Sequence, residues 1–224
     1  MLYIVSTPIG NLKDITLRAL DVLKSVDLIA AEDTRKTKIL LDHYGIQKPL
    51  TSYFDHNEKV KGPYLLKLFK EGKSLALVTD AGTPGISDPG YSLIKLAYEN
   101  QIPVTVIPGV TALITALTLS GLPAHRFVFE GFLPPKTVGR RKKLEELKGG
   151  GAPTVILYES PHRLLKTLED IKEVLADPYV VVARELTKKF EEVKKARASE
   201  LMAHFTSRPP KGEFVLLLNL TAGQ

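Results

Sequence analysis

A pair of α/β domains is the fold class this sequence predicts, on three observations. Short apolar runs rich in β-branched residues alternate with amphipathic stretches of helical period. Three of the runs in the first half end in loops dense in glycine and proline, as strands do in open α/β sheets. Midway, the segment SGLPAH at 120–125 interrupts the pattern and a second strand–helix series begins. The 224 residues, 44% of them hydrophobic, suffice for two cores of ordinary size, expected over 1–118 and 119–224.

In order, the first domain reads as a strand at Leu2–Val5, a helix from Leu17 to Val26, a strand at Leu28–Ala31 and a helix through Ile39–Leu41 ending near Gly45. A strand near Leu50–Tyr53 follows, then a helix from Asn57 to Lys70 closed by Gly72 in the left-handed position that ends helices. The strand Leu75–Thr79, a helix over Tyr91–Glu99, the strand Val104–Ile107 and a helix from Val110 to Leu119 complete it. The second domain reads as a strand at Phe127–Phe129, a basic helix over Gly139–Leu147, a strand at Val155–Tyr158 and a helix from Arg163 to Leu175. After the strand Val180–Ala183 come an alternating stretch at Phe190–Val193, a short helix near Ser199–Phe205 and a last strand at Phe214–Leu218. GGGAP at 149–153 reads as a surface loop.

Composition removes several classes of function. There are no cysteines, so disulfides, thiolate metal sites and a cysteine nucleophile are excluded. The five histidines, at 43, 56, 125, 162 and 204, have none of the short spacings of a histidine ligand pair, and no metal is expected. No apolar run reaches membrane-spanning length and the amino terminus lacks a secretory pattern, so a cytoplasmic protein is expected. The net charge of +6 suits a polyanionic partner without demanding one.

The glycine-rich loops are STPIGN at 6–11, TDAGTPGISDPG at 79–90 and IPGVTA at 107–112. Glycine lets a ligand approach the main chain closely. None of the three matches the P-loop or the GxGxxG fingerprint, and Asp80 and Asp88 would repel a polyphosphate. A ligand with hydroxyls or a positive centre fits better; a helix-capping role is the competing reading of Asp88.

Seven motifs in fixed order carry a resemblance: STPIGNLKDIT at 6–16, AAEDTRKTKILL at 30–41, HNE at 56–58, VTDAGTPGISDPG at 78–90, IPGVTAL at 107–113, YESPHR at 158–163 and ARELTKKFEE at 183–192. Together they closely resemble the ribosomal small-subunit RNA methyltransferase I family of the tetrapyrrole methylase superfamily. The resemblance implies the class III methyltransferase fold, with S-adenosylmethionine in the cleft between two α/β domains, 2'-O-methylation of a cytidine in 16S ribosomal RNA, and a homodimer. It assigns Pro8, Asp80, Gly82, Thr83, Ile86, Ser87, Thr111 and Ala112 to the cofactor, with Tyr158 as a further wall.

For the chemistry, Glu32, Arg35, Glu185 and Lys189 are the expected active-site set, with a carboxylate or a lysine of lowered pKa taking the hydroxyl proton and arginine holding a phosphate. Asp33, His56, Glu58, Glu159, His162 and Arg184 are further candidates, each with a cap or a surface ion pair as its competing reading. The run Arg140, Arg141, Lys142 and Lys143, flanked by Lys136 and Lys148, is the expected RNA contact, with a solvated helix face as the alternative. Tyr53 and Phe54 are candidates to stack an unpaired base, with core packing as the competing reading of Phe54. Two other functions share these features: methylation of a tetrapyrrole or corrinoid precursor, and a non-catalytic cofactor-binding protein associated with RNA.

Overall fold

The computed structural model describes residues 1–151 and 153–220, which form two compact units dividing at Thr111/Ala112. The first unit runs β1 (Leu2–Val5), α1 (Leu17–Ser25), β2 (Leu28–Ala31), α2 (Thr34–His43), β3 (Leu50–Ser52), α3 (Glu58–Lys70), β4 (Leu75–Val78), α4 (Tyr91–Glu99) and β5 (Val104–Ile107). Its five strands are all parallel in the order β3-β2-β4-β1-β5. Strands buried on both faces must be apolar throughout, and the alternation sorts them into two cores. Leu2, Ile4, Leu28, Ala30, Leu75 and Leu77 face α3 and α4, whereas Val5, Ile29, Ala31, Ala76 and Val78 face α1 and α2.

Local chemistry sets the helix ends. Thr16 caps α1 by accepting from Ala19 N, and Asp33 caps α2 by accepting from Arg35 N. At the end of α3, Gly72 at φ +81° allows Gly72 N and Lys73 N to donate back to Phe69 O and Leu68 O, the paired bonds of a Schellman motif. Gly90, not Asp88, occupies the position before α4, at φ +142°.

The second unit runs α5 (Ala112–Ser120), β6 (Phe127–Phe132), α6 (Thr137–Gly149), β7 (Thr154–Glu159), α7 (Leu164–Leu175), β8 (Tyr179–Arg184), β9 (Glu192–Arg197), α8 (Ala198–Ser207) and β10 (Phe214–Asn219). Its mixed sheet has the order β6-β7-β10-β8-β9, with β6 parallel to β7 and the other neighbours antiparallel. Val155, Leu157, Val180, Val182, Leu216 and Leu218 form one core with α6, α7 and α8. Helix α5 packs on β8, β9 and β10, which is why the units divide ahead of it rather than at the expected 118/119. Of the expected loop at 149–153, Gly149 closes α6 and residue 152 lies outside the described residues, as do 221–224 of the expected second domain.

Candidate active site

Parallel strands place all their following loops at one edge of a sheet. In the first unit that edge carries STPIGN after β1, Glu32 and Asp33 after β2, the segment before α3, TDAGTPGISDPG after β4, and Pro108–Thr111 after β5. The loops are bonded to each other. Thr7 N donates to Gly82 O at 2.8 Å and Gly82 N returns to Thr7 O at 3.0 Å. Thr7 Oγ1 donates to Thr79 O at 3.0 Å, and the Ser6 and Thr83 hydroxyls lie 2.7 Å apart. The third loop closes on the first at Gly109, where a Cβ would stand 2.8 Å from Ser6 Cβ.

A clasp joins β2 to β4. Glu32 Oε2 accepts the Asp80 N–H at 3.1 Å, and Asp80 Oδ1 accepts the Asp33 N–H at 3.2 Å. Lys36 Nζ donates to Asp80 Oδ2 at 2.6 Å, so the carboxylate of the glycine loop is already compensated. Burial raises the Glu32 carboxyl above the ordinary glutamate value; the Asp80 N–H opposes this and the neighbouring Asp80 carboxylate adds to it. Asp33 behaves oppositely: the Arg35 side chain and N–H hold its carboxyl far below the usual carboxylate range. Arg35 itself is on the surface, forked onto Asp33 at 3.0 and 2.7 Å.

In the second unit, β6, β7 and β8 end at one edge, where the antiparallel β10 begins, and Phe214 pairs with both Glu159 and Arg184. Tyr158 is half-buried there between Phe129 and Phe132, with ring centroids 4.9 and 5.9 Å away. After β8 the chain takes two left-handed residues, Glu185 at φ +50° and Thr187 at φ +65°. Left-handed backbone in non-glycine residues persists only where surrounding bonds hold it. Lys188 Nζ holds Glu185 at 2.9 Å and Glu213 at 2.8 Å, and Glu185 also accepts the Glu213 N–H at 3.1 Å. Burial alone would raise the Glu185 carboxyl; Lys188 and the Glu213 N–H outweigh it and hold it below the ordinary value. Glu185 is therefore a poor proton acceptor and a well-fixed anion.

A model of the family described as Tetrapyrrole (Corrin/Porphyrin) Methylases matches residues 1–202. A protein named ribosomal RNA small subunit methyltransferase I from Escherichia coli O157:H7 is 53% identical over 220 residues, covering 97% of this chain and 77% of its own length. The chain belongs to the ribosomal RNA small subunit methyltransferase I family. The member from Thermotoga maritima is 48% identical over 218 residues and is matched over 97% of either chain. Among solved structures, uroporphyrin-III-C-methyltransferase of Thermus thermophilus (TM-score 0.65, 21% identity, 99% of this chain and 95% of that one) and cobalt precorrin-4 methyltransferase (0.70, 20%, 96% and 93%) share the fold. A further Thermus thermophilus uroporphyrin-III C-methyltransferase structure (0.66, 19%, 98% of each chain) is complexed with S-adenyl homocysteine.

For this member of the methyltransferase I family, Pro8, Asp80, Gly82, Thr83, Ile86, Ser87 and Thr111 fall at the edge of the first sheet, while Ala112 and Tyr158 belong to the second unit. Glu32 and Arg35 likewise lie in the first unit, and Glu185 and Lys189 in the second. Several motif residues are structural. Asn57 of HNE accepts from Phe54 N and donates to Ser52, and Glu58 accepts from the Ser92 hydroxyl. Glu159 of YESPHR is buried, bonded by Thr167 Oγ1 at 2.6 Å and Ser160 N at 2.8 Å, with Arg163 Nε at 3.3 Å. Tyr53 is 1% exposed and cannot stack a base, whereas Phe54 reaches solvent.

The basic run on α6 requires a correction. Arg140 is 2% exposed, with Asp170 at 2.6 Å from its Nε and Pro135 O at 3.1 Å, so it is a core ion pair and not an RNA contact. Arg141 also bonds Asp170, at 2.6 Å, and Lys143 pairs with Glu130 and Glu146. Lys142 remains exposed. Sequence reasoning missed Lys36 and Lys188, whose partners are remote in sequence or hidden in a loop; Ser6, Thr7 and Gly109 lay within recognised motifs and were detectable there.

Proposed function

We propose that this chain transfers a methyl group from S-adenosylmethionine to the ribose 2'-hydroxyl of a cytidine in small-subunit (16S) ribosomal RNA. The observation that carries the proposal is that all seven motifs of the family resemblance fall at the carboxyl-end edges of the two sheets. The relatives' name supplies small-subunit ribosomal RNA as the acceptor molecule, the motif resemblance supplies the cytidine ribose within it, and the fold neighbour's bound S-adenyl homocysteine supplies the donor's class.

The donor set of the first unit fits this cofactor. It offers backbone amides and carbonyls of glycine loops, the Ser6, Thr7 and Thr83 hydroxyls, and Asp80, with Lys36 as the cation bonded into the loop. That chemistry receives a ribose diol and a positive centre, and lacks the cationic cradle of a polyphosphate site. Pro8, Asp80, Gly82, Thr83, Ile86, Ser87 and Thr111 would hold the cofactor. When bound, S-adenosylmethionine supplies an electrophilic methyl group.

The chain's part is to place and deprotonate the hydroxyl. Glu32, raised by burial, is the carboxylate best suited to accept that proton. Glu185, fixed by Lys188, positions rather than titrates, and Lys189 and Arg35, both exposed, meet the substrate's phosphates. A homodimer in the cytoplasm completes the proposal. It is supported by exposed Val106 on the edge strand β5 and by exposed Ile114 and Leu119 on α5; among the described residues no helix is long and apolar enough to cross a membrane.

The cofactor loops give a first test. In G109A the new methyl must displace the buried Ser6, breaking its contact with Thr83. The expected cost is about 1–3 kcal/mol of stability from overpacking and a roughly tenfold loss of S-adenosylmethionine affinity, the worth of about one hydrogen bond. Denaturant unfolding and calorimetric titration measure the two. Transfer of labelled methyl to a tetrapyrrole precursor but to no ribosomal RNA would overturn the proposed acceptor.

A further inference from the structure

The carboxyl-end edge of the second sheet has an asymmetry of charge. Its carboxylates are bonded internally: Glu185 and Glu213 to Lys188, Glu192 to Arg184 at 3.6 Å with His204 Nε2 at 3.2 Å, while Glu191 accepts the Thr187 N–H at 2.6 Å. Other basic residues there are not. Lys136 follows β6, His162 follows β7, Lys189 follows β8 and Lys211 precedes β10, which topology places in loops at one edge. All four are exposed, and among the described residues none of them forms an ion pair. Lys189 lies over the ring of Phe190, 5.7 Å from its centroid, and that ring is 64% exposed.

The loop bearing Lys136 is held stiffly. Arg163 binds Leu133 O at 2.6 Å and Arg140 binds Pro135 O at 3.1 Å, so two guanidinium groups grip the proline pair ahead of Lys136. A cation presented on a braced loop forfeits little entropy on meeting a phosphate. The α6 run, by contrast, engages Arg140, Arg141 and Lys143 in ion pairs with carboxylates of the same unit, Arg140 of them in the core.

We propose that the phosphodiester backbone of the RNA substrate is held by Lys136, His162, Lys189 and Lys211 along this edge, with Phe190 offering a stacking face to an unpaired base, and not by the basic run of α6. Free lysine ammonium groups beside an exposed aromatic ring are the combination that single-stranded RNA requires. The inference rests on the RNA-methylation reading and assigns that reading's substrate to a surface.

The test is the salt dependence of binding to a labelled small-subunit ribosomal RNA fragment, from about 50 to 200 mM KCl. Losing two phosphate contacts makes the plot of log affinity against log salt shallower by about 1.4, or roughly twentyfold weaker binding at ~0.1 M salt. K136A/K211A is expected to show this loss with unchanged S-adenosylmethionine affinity, and K136R/K211R to keep the parental slope. K70A/K166A, two exposed lysines on α3 and α7, is expected to leave the slope unaltered. An unchanged slope in K136A/K211A, or a loss produced by K142A instead, overturns this inference while leaving methylation standing. Should the alanine pair fail to bind cofactor, K136Q/K211Q reads the same slope in an intact fold. A parental chain that neither binds nor methylates the RNA overturns both readings.

Discussion

Replacing Asp170 with alanine is expected to destabilise the second unit by about 3–5 kcal/mol. Asp170 and Arg140 are each 2% exposed, and the carboxylate takes Arg140 Nε on one oxygen and Arg141 Nε on the other. Removing it strands the Arg140 guanidinium in the core with only Pro135 O and Thr137 Oγ1 to replace an anion. Arg141 is 45% exposed in its side chain and recovers hydration, so the cost belongs to Arg140. Hydrogen exchange on β7 and β10, the strands beneath α6 and α7, reads the loss. The double variant R140M/D170A removes both charges and is expected to recover most of the stability, because a buried ion pair contributes little once neither partner is left alone. If D170A exchanges at the parental rate, the cluster is not what holds α6 to α7.

Glu32 gives the second large effect, and on catalysis rather than folding. E32Q keeps an oxygen for the Asp80 N–H but has no carboxylate to take a proton, so turnover is expected to fall about 10²–10⁴-fold. Stability moves the other way. Burial raises the Glu32 carboxyl in the folded chain, so its contribution is fully present below the unfolded pKa and is lost as pH rises through the folded one. Glutamine does not titrate. E32Q is therefore expected to melt no lower than the parent at neutral pH, with any advantage vanishing at acidic pH. The parental rate should rise with pH through an ionisation above the ordinary glutamate range, and that limb should be absent in E32Q. Unchanged turnover would remove Glu32 from the chemistry and leave it as the clasp between β2 and β4.

Much of this was legible because apolar runs of four residues, each buried on both faces, leave few alternatives to a parallel sheet. Leu75–Val78 is wholly buried, its neighbour β2 repeats the pattern, and β1 does so at all but the partly buried Tyr3. The glycine loops were readable for the same reason, since their place after strands fixed them at one edge. Element ends were less so. The alternation expected at Phe190–Val193 begins at Glu192 instead, because register with β8, from Tyr179 opposite Arg197 to Arg184 opposite Glu192, decides the strand and not the exposed Phe190.

What sequence could not convey was the identity of charged partners. Four consecutive basic residues look alike on paper, yet Arg140 is sealed in the core by an aspartate thirty positions away while Lys142 stands in solvent. The same applies to Lys36, bonded to Asp80 across 44 residues. Two adjacent lysines, 188 and 189, divide between an internal tie and a free cation through the left-handed turns at Glu185 and Thr187, which no residue type there announces.

The most direct test of the account is where the methyl group ends. The protein is given labelled S-adenosylmethionine and small ribosomal subunits from cells lacking it, and the RNA is then hydrolysed in alkali. Label in an alkali-resistant dinucleotide is the expected result, since a methylated 2'-oxygen cannot attack the adjoining phosphate. Label released in ordinary mononucleotides would contradict it and make this chain a base methylase.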